Sequence, residues 1–229
     1  MQGCILAQRI KGLARTRRLS DILEDQSATG RERADMNRMA WRIALILACS
    51  ALANPTLAEE RMLIDDFASR EGTAAIGTQW RGFTDRVMGG RSDMQVGYRE
   101  YDSGPVLQMS GQVRLDNNGG FIQARLPFLP DGGDFDASGY RGLAVRVRGE
   151  PGPYYIHLRT RHTWRPWQYY RAAVEVGPQW QDQVIPFSAF EGRSIRRDLD
   201  LASLRTLGVV AYGEAFEADI EVARIELVR

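Results

Sequence analysis

"LAVRVRG" (residues 143–149), followed across a Pro-Gly turn by "YYIHLRT" (residues 154–160), decides the fold. Leu143, Val145 and Val147 alternate with Arg146 and Arg148. Ile156 and Leu158 then alternate with Tyr155, His157 and Arg159. A period of two sends successive side chains to opposite faces, the mark of a half-buried strand. The pattern recurs in "MQVGYRE" (94–100), "VLQMSGQVRL" (106–115), "GGFIQARL" (119–126), "YRAAVEV" (170–176), "DQVIPF" (182–187), "LGVVAY" (207–212) and "FEADIEVARIELV" (216–228). Gly- and Pro-bearing turns such as "GEPGP" and "VGP" punctuate several of these runs. Nine or ten strands without a long helical stretch predict an all-β fold, a single antiparallel β-sandwich or jelly roll over residues 62–229. The one helical expectation is a turn near Leu199–Leu204, with Asp198 or Asp200 as its cap.

The first 58 residues read differently. "MNRMAWRIALILACSALANPTLA" (36–58) has a basic start at Arg38 and Arg42, an apolar run from Ile43 to Ala53, and small residues before Ala58. That is the three-part pattern of a secretory signal peptide, with Ala53 and Ala58 both fitting as cleavage positions. The apolar run is about half of the roughly 20 residues a spanning helix needs. A lipid attachment at Cys49 and a cytosolic chain with a buried helix at 43–53 are the competing readings. Residues 1–35 read as a gene-model extension or a disordered segment. The expectation is a periplasmic or secreted protein whose only membrane association comes through the signal peptide or a lipid on Cys49.

Composition excludes several chemistries. The formal net charge is +1, with 44% hydrophobic and 26% charged residues. Residues 1–58 carry +4 and the rest −3, so the domain lacks the basic excess of a nucleic-acid binder. Both cysteines, Cys4 and Cys49, precede the domain, and His157 and His162 are the only histidines. A cysteine nucleophile, a disulfide or a multi-histidine zinc site is therefore not expected in residues 62–229, nor is a cofactor motif. Asp65 and Asp66 near the first strand and Glu217, Asp219 and Glu221 near the last could meet as oxygen ligands for calcium. Alternation at 217, 219 and 221 fits a solvated strand face equally well.

"DRVMGGRSD" (85–93) poses the sharpest local question. A phosphate loop would need a lysine and a following helix, and this stretch is followed by strand-like sequence. Ser92 lacks the glycine spacing of a nucleophile elbow. What remains is a tight hairpin in which Gly89 and Gly90 take positive φ, with Trp80 and Met88 packed beneath it. "RLDNNGGF" reads as a second turn, served by Asn117, Asn118 and the glycines.

Taken in order, Trp80, "DRVMGGRS" (Asp85, Met88, Gly89, Gly90, Ser92), "GGF" (Gly119, Gly120, Phe121), "YRGLAVRVRG", Trp180 and "IPFSAF" (Pro186, Phe187) resemble the complex I intermediate-associated protein 30 family over roughly residues 63–228. The family is named for a mitochondrial assembly factor and has bacterial relatives. The resemblance implies a galactose-binding-like jelly roll that binds or assembles rather than catalyses, with a protein partner and no catalytic residues to carry over.

From the residues alone, the strands between 142 and 176 supply an arginine-aromatic constellation. If they are neighbours in one sheet, Arg146, Arg148, Tyr155, His157, Arg159, Tyr169 and Arg171 form one patch, with Trp164 and Trp167 of "RHTWRPWQ" at its rim. These residue types dominate binding hot spots, and their rings also stack on sugars. A solvated, cross-paired sheet face would have the same composition. The alternative function is a carbohydrate-binding module. A glycosidase would need two convergent carboxylates, which the sequence does not place.

Overall fold

The computed structural model describes residues 59–69 and 71–229. The expected signal peptide at 36–58 and the segment 1–35 lie outside these residues. No helix among the described residues is long and apolar enough to cross a membrane.

Among the described residues, twelve antiparallel strands form two six-stranded sheets. They are β1 (Arg61–Asp65), β2 (Arg81–Thr84), β3 (Gln95–Tyr101), β4 (Gly104–Val113), β5 (Phe121–Pro127), β6 (Gly142–Gly149), β7 (Tyr154–Thr160), β8 (Tyr169–Val174), β9 (Gln181–Pro186), β10 (Glu191–Arg193), β11 (Leu204–Tyr212) and β12 (Phe216–Val228). The first sheet runs β3-β4-β12-β6-β9, with β1 also paired to β12, and the second runs β10-β8-β7-β11-β5-β2. This is the expected sandwich. The added strands β1, β2 and β10 are three to five residues long, too short to show a period.

The core lies between the sheets. The first contributes Leu107, Met109, Leu143, Val145 and Val147, and the second Ile122, Leu126, Ile156, Leu158, Leu207 and Val209, all buried. Strand β12 serves two neighbours on one flank, β4 along 216–222 and β1 along 225–228. A register shift between Val222 and Arg224 makes this work. Ala218, Ile220 and Val222 face the core before it, and Ile225 and Leu227 after it. One extra residue thus restores the inward face that strict alternation would have lost. The predicted helical turn is a 3-10 turn at Leu201–Ser203, capped by Asp200, which accepts from the Ala202 N–H.

Two expectations are corrected. "DRVMGGRSD" is not a hairpin: β2 before it belongs to the second sheet and β3 after it to the first, so the stretch carries the chain from one sheet to the other. Strand β6 likewise lies in the first sheet while β7 and β8 lie in the second. The turn "GEPGP" therefore separates the two halves of the expected patch.

Candidate functional site

The crossover at 85–93 is held from inside. Residues Asp85–Met88 form a 3-10 turn capped by the Thr84 hydroxyl, and Gly89 closes it with φ 88°. Gly90 does not take positive φ, and its role is steric instead. Asp85 is fully buried. Its carboxylate accepts the Ser92 N–H at 2.9 Å, the Ser92 hydroxyl at 2.5 Å and the Gly120 N–H at 2.6 Å. A Cβ on Gly90 or on Gly119 would collide with that carboxylate. Asn117, at φ 55°, donates its side-chain N–H to the Gly89 carbonyl at 3.0 Å. "DRVMGGRS" and "NNGGF" are thus two halves of one buried-carboxylate cradle.

Trp80 packs on Phe67 with centroids 5.9 Å apart and donates to Asp65 at 2.7 Å. Met88 does not pack beneath the turn: it is 51% exposed and Val87 is 70% exposed. A carboxylate held by three donors draws the turn inward through Asp85 and leaves the next two apolar side chains on the rim.

That rim borders a cleft on the outer face of the second sheet, with a volume of about 460 Å³. Sheet register builds its floor. Gly208 on β11 sits opposite His157 on β7 and Arg125 on β5. Arg81 on β2 lies opposite Arg125, and Arg171 on β8 opposite His157. Gly208 has no side chain, and the Gln123 amide occupies the space where a Cβ would sit. One flanking row holds Phe83, Gln123, Val210 and Tyr155, and beyond it Phe121 is opposite Tyr212. Trp167, Pro166, Tyr169, Arg193 and Ser194 close the far side. A neighbouring cavity of about 550 Å³ shares Arg125, Arg159 and Pro166 and adds Arg81, Arg161, Arg205 and Trp164. No Asp or Glu lines either cavity.

The aromatic surfaces are already covered on one side. Arg125 lies 3.9 Å over the Phe83 ring, Arg171 4.6 Å over Tyr155, and His157 stacks on Tyr169 at 4.1 Å. Arg165 lies over both Trp164 and Trp167. The indoles are 72% and 52% exposed. Arg159 gives its guanidinium to the carbonyls of Thr163, Arg165 and Pro166, so it shapes the 161–168 loop.

His157 is 7% exposed and its Nε2 has no hydrogen-bond partner. The ring makes its contact by stacking on Tyr169 instead. Burial, reinforced by the Arg171 and Arg159 charges, brings its pKa down to about 3, so the imidazole is neutral at ordinary pH. Burial, then the neighbouring Tyr212, holds Tyr169 up at about 12. Burial and the facing Arg81 lower Arg125.

Of the predicted patch, the cleft side gathers Tyr155, His157, Arg159, Trp164, Trp167, Tyr169 and Arg171. Arg146 and Arg148 sit on the outer face of the other sheet. There Arg148 donates to Glu221 at 2.7 Å and lies over Tyr101 and Trp180, while Arg146 pairs with Asp182 at 2.8 Å. Sequence reading missed Arg81, Phe83, Gln123, Arg125, Arg193, Val210 and Tyr212. Gln123, Arg125, Val210 and Tyr212 were visible as outward positions of strands, whereas Arg81, Phe83 and Arg193 lie on strands too short to show a period. Only pairing between strands far apart in the chain brings them together.

The acidic groups do not converge. Asp65 lies opposite Ile225, away from 217–221. Its carboxylate accepts from Phe67, Ala75 and Trp80, that of Asp219 accepts from Gln108, and that of Glu221 accepts from Tyr101 and Arg148. Among the described residues no three His, Cys, Asp or Glu side chains group as metal ligands. Pro186 ends β9 opposite Gly142, and Phe187 behind it is buried.

The family model described as Complex I intermediate-associated protein 30 matches residues 66–222. No curated protein matches the sequence significantly. Among solved structures, the family 11 carbohydrate-binding module of a cellulosomal cellulase of Clostridium thermocellum is similar at TM-score 0.59 and 16% identity, over 75% of this chain and 95% of that one. A Clostridium thermocellum family 11 module in complex with a β-1,3-1,4-mixed-linked tetrasaccharide gives TM-score 0.58 and 16% identity, over 75% and 96%. A family 30 carbohydrate-binding module gives 0.51 and 16%, over 76% and 88%. At these identities the likeness is one of fold.

Proposed function

The chain belongs to the complex I intermediate-associated protein 30 family, and from that premise we propose that it is a non-catalytic binding domain that captures a polypeptide partner in the cleft on its second sheet. The observation that carries this is the cleft's composition: an apolar rim of Val87, Met88 and Trp167 over a floor of arginine and aromatic side chains. Met, aromatic residues and Arg are the types enriched at protein interfaces, where buried aromatic and arginine anchors supply most of the affinity. On this proposal the signal peptide at 36–58 places the domain outside the cytoplasm, and its role is assembly or maturation there.

Carbohydrate binding is the second reading, favoured by the fold of the neighbours, one of which is in complex with a tetrasaccharide. The side chains argue against it. Sugar hydroxyls need acceptors beside free ring faces, and this cleft offers mainly arginine donors over rings that arginine or histidine already covers.

A photoreactive amino acid placed at Trp167, and separately at Val184 on the outer edge of the first sheet, tests the reading in cells. A discrete protein adduct from position 167 and none from 184 is expected. Equal labelling from both positions, or a β-1,3-1,4-glucan tetrasaccharide saturating the cleft, would count decisively against it.

A further inference from the structure

Among the described residues, two buried side-chain nitrogen or oxygen atoms have no hydrogen-bond partner: His157 Nε2 and Arg193 Nε. Both belong to side chains that line the same cleft. A buried N–H donor without an acceptor keeps its full desolvation penalty, so native structures leave few of them. Arg193 Nε can only donate. The terminal nitrogen of Arg193 reaches Glu191 at 3.7 Å, but Nε itself has no oxygen partner, and no carboxylate lines the cleft to supply one.

A second, independent observation has the same sign. Arg81 and Arg125 sit directly opposite each other on β2 and β5, and neither forms an ion pair among the described residues. Like charges in facing positions of a sheet are destabilising. The adjacent pair shows the usual remedy: Arg161 and Arg205 share Asp134, at 3.2 and 3.0 Å. Arg81 and Arg125 have no such acid, and Arg125, its guanidinium held over the Phe83 ring, lines both cavities.

Resting on the reading of the cleft as a protein-docking site, we propose that its occupant is an acidic polypeptide segment, whose carboxylates take the Arg193 Nε–H and the Arg81–Arg125 pair while flanking apolar side chains cover Val87, Met88 and Trp167. A carboxylate accepts two parallel bonds from a guanidinium, and such charge-assisted bonds are about twice as strong as neutral ones. An acidic glycan would bring the same carboxylate, but its ring needs a platform. Phe83, Tyr155 and Tyr169 have a face covered by Arg125, Arg171 and His157, whereas an extended peptide needs no ring stacking.

Fluorescence anisotropy with a labelled peptide of alternating Glu and Phe, its Gln-for-Glu counterpart, and polygalacturonate as competitor tests the proposal. The Glu peptide is expected to bind about tenfold or more tighter than the Gln peptide, with an advantage that shrinks in salt. Arg125→Gln and Arg193→Gln should each remove most of that advantage, and Arg146→Gln on the other sheet should leave it intact, all at unchanged melting temperature. Equal affinity for the two peptides, or full binding by both cleft variants, overturns the proposal. A partner adduct from position 167 that survives Arg125→Gln and Arg193→Gln overturns the acidic preference while leaving the cleft as a docking site. Binding of polygalacturonate without binding of the peptide overturns both.

Discussion

On the outer face of the first sheet, Arg148 donates to Glu221 and lies over Tyr101 and Trp180, and Arg146 pairs with Asp182. On the outer face of the second, Arg125 lies over Phe83 and Arg171 over Tyr155, and neither arginine forms an ion pair among the described residues. The ingredients are the same and the balance differs. The first face contains its own acceptors, down to Glu226 between Arg61 and Arg224. The second has donors left over and, in His157 and Arg193, buried nitrogens with nothing to bond. Arginine next to an aromatic ring therefore identifies neither a site nor a solvated surface. What separates the two is whether the polar groups are satisfied from within the chain.

The comparison breaks most visibly at Glu221. Its side chain is 8% exposed and accepts both the Arg148 Nε–H and the Tyr101 hydroxyl, at 2.7 and 2.6 Å. Glu221→Ala leaves both donors without that acceptor and should lower the unfolding free energy by about 3 kcal/mol in urea titration. A loss below about 1 kcal/mol would mean that the pairing on this face is incidental.

A smaller effect separates the faces by pH. The folded pKa of His157 is lowered from 6.5 to about 3, so the unfolded chain takes up a proton that the folded chain refuses. Stability is therefore lost as pH falls from about 6.5 toward 3, by about 2 kcal/mol between pH 7 and pH 5 for this group alone. His157→Gln should flatten the unfolding free energy across that interval. Glu226 titrates in another window. Burial acts to raise its pKa, but hydrogen bonds and charge from Arg224 and Arg61 outweigh burial and lower it. Its contribution is present above the ordinary glutamate value of 4.5 and lost as pH falls through the lower folded value. Acid should thus weaken the cleft face first and the paired face second. A wild-type curve that is level from pH 7 to 5 would remove the distinction.

How much of this was legible depended on the range of the interaction. The alternation in "LAVRVRG" and "YYIHLRT" specified two strands and their inward faces, because period two is a local property. The Asp200 cap was legible for the same reason. Partnering was not. "GEPGP" looks like a hairpin turn and instead passes between sheets, which sent Arg146 and Arg148 to the wrong patch. The double glycine of "DRVMGGRSD" looked like a strand-reversing turn. Its shape follows from the carboxylate of Asp85 meeting Gly120, 35 residues away. Arg125 and Tyr212 joined the cleft only through the pairing of β5 with β11. The charge imbalance depends on Asp134 reaching Arg161 and Arg205 but not Arg81 or Arg125, a fact of distance that no composition encodes.

The smallest expected effect is the most specific to the unpaired face. Arg125→Met replaces the guanidinium over Phe83 with an apolar side chain and removes the charge facing Arg81. It forfeits a cation–π contact worth about 0.5–1 kcal/mol and relieves a facing repulsion of about 0.2–1 kcal/mol. The two nearly cancel, so the single variant should shift stability by no more than about 0.5 kcal/mol. The repulsion can be isolated because it needs both arginines. In an Arg81→Met background the same replacement loses the ring contact with no relief, and should destabilise more than in the wild type. The double-mutant cycle then gives a repulsive coupling of a few tenths of a kcal/mol that fades as salt is added. Zero or attractive coupling would mean that the chain itself already compensates this pair. The second face would then be as balanced as the first, and the surplus of donors that asks for an acidic partner would be gone.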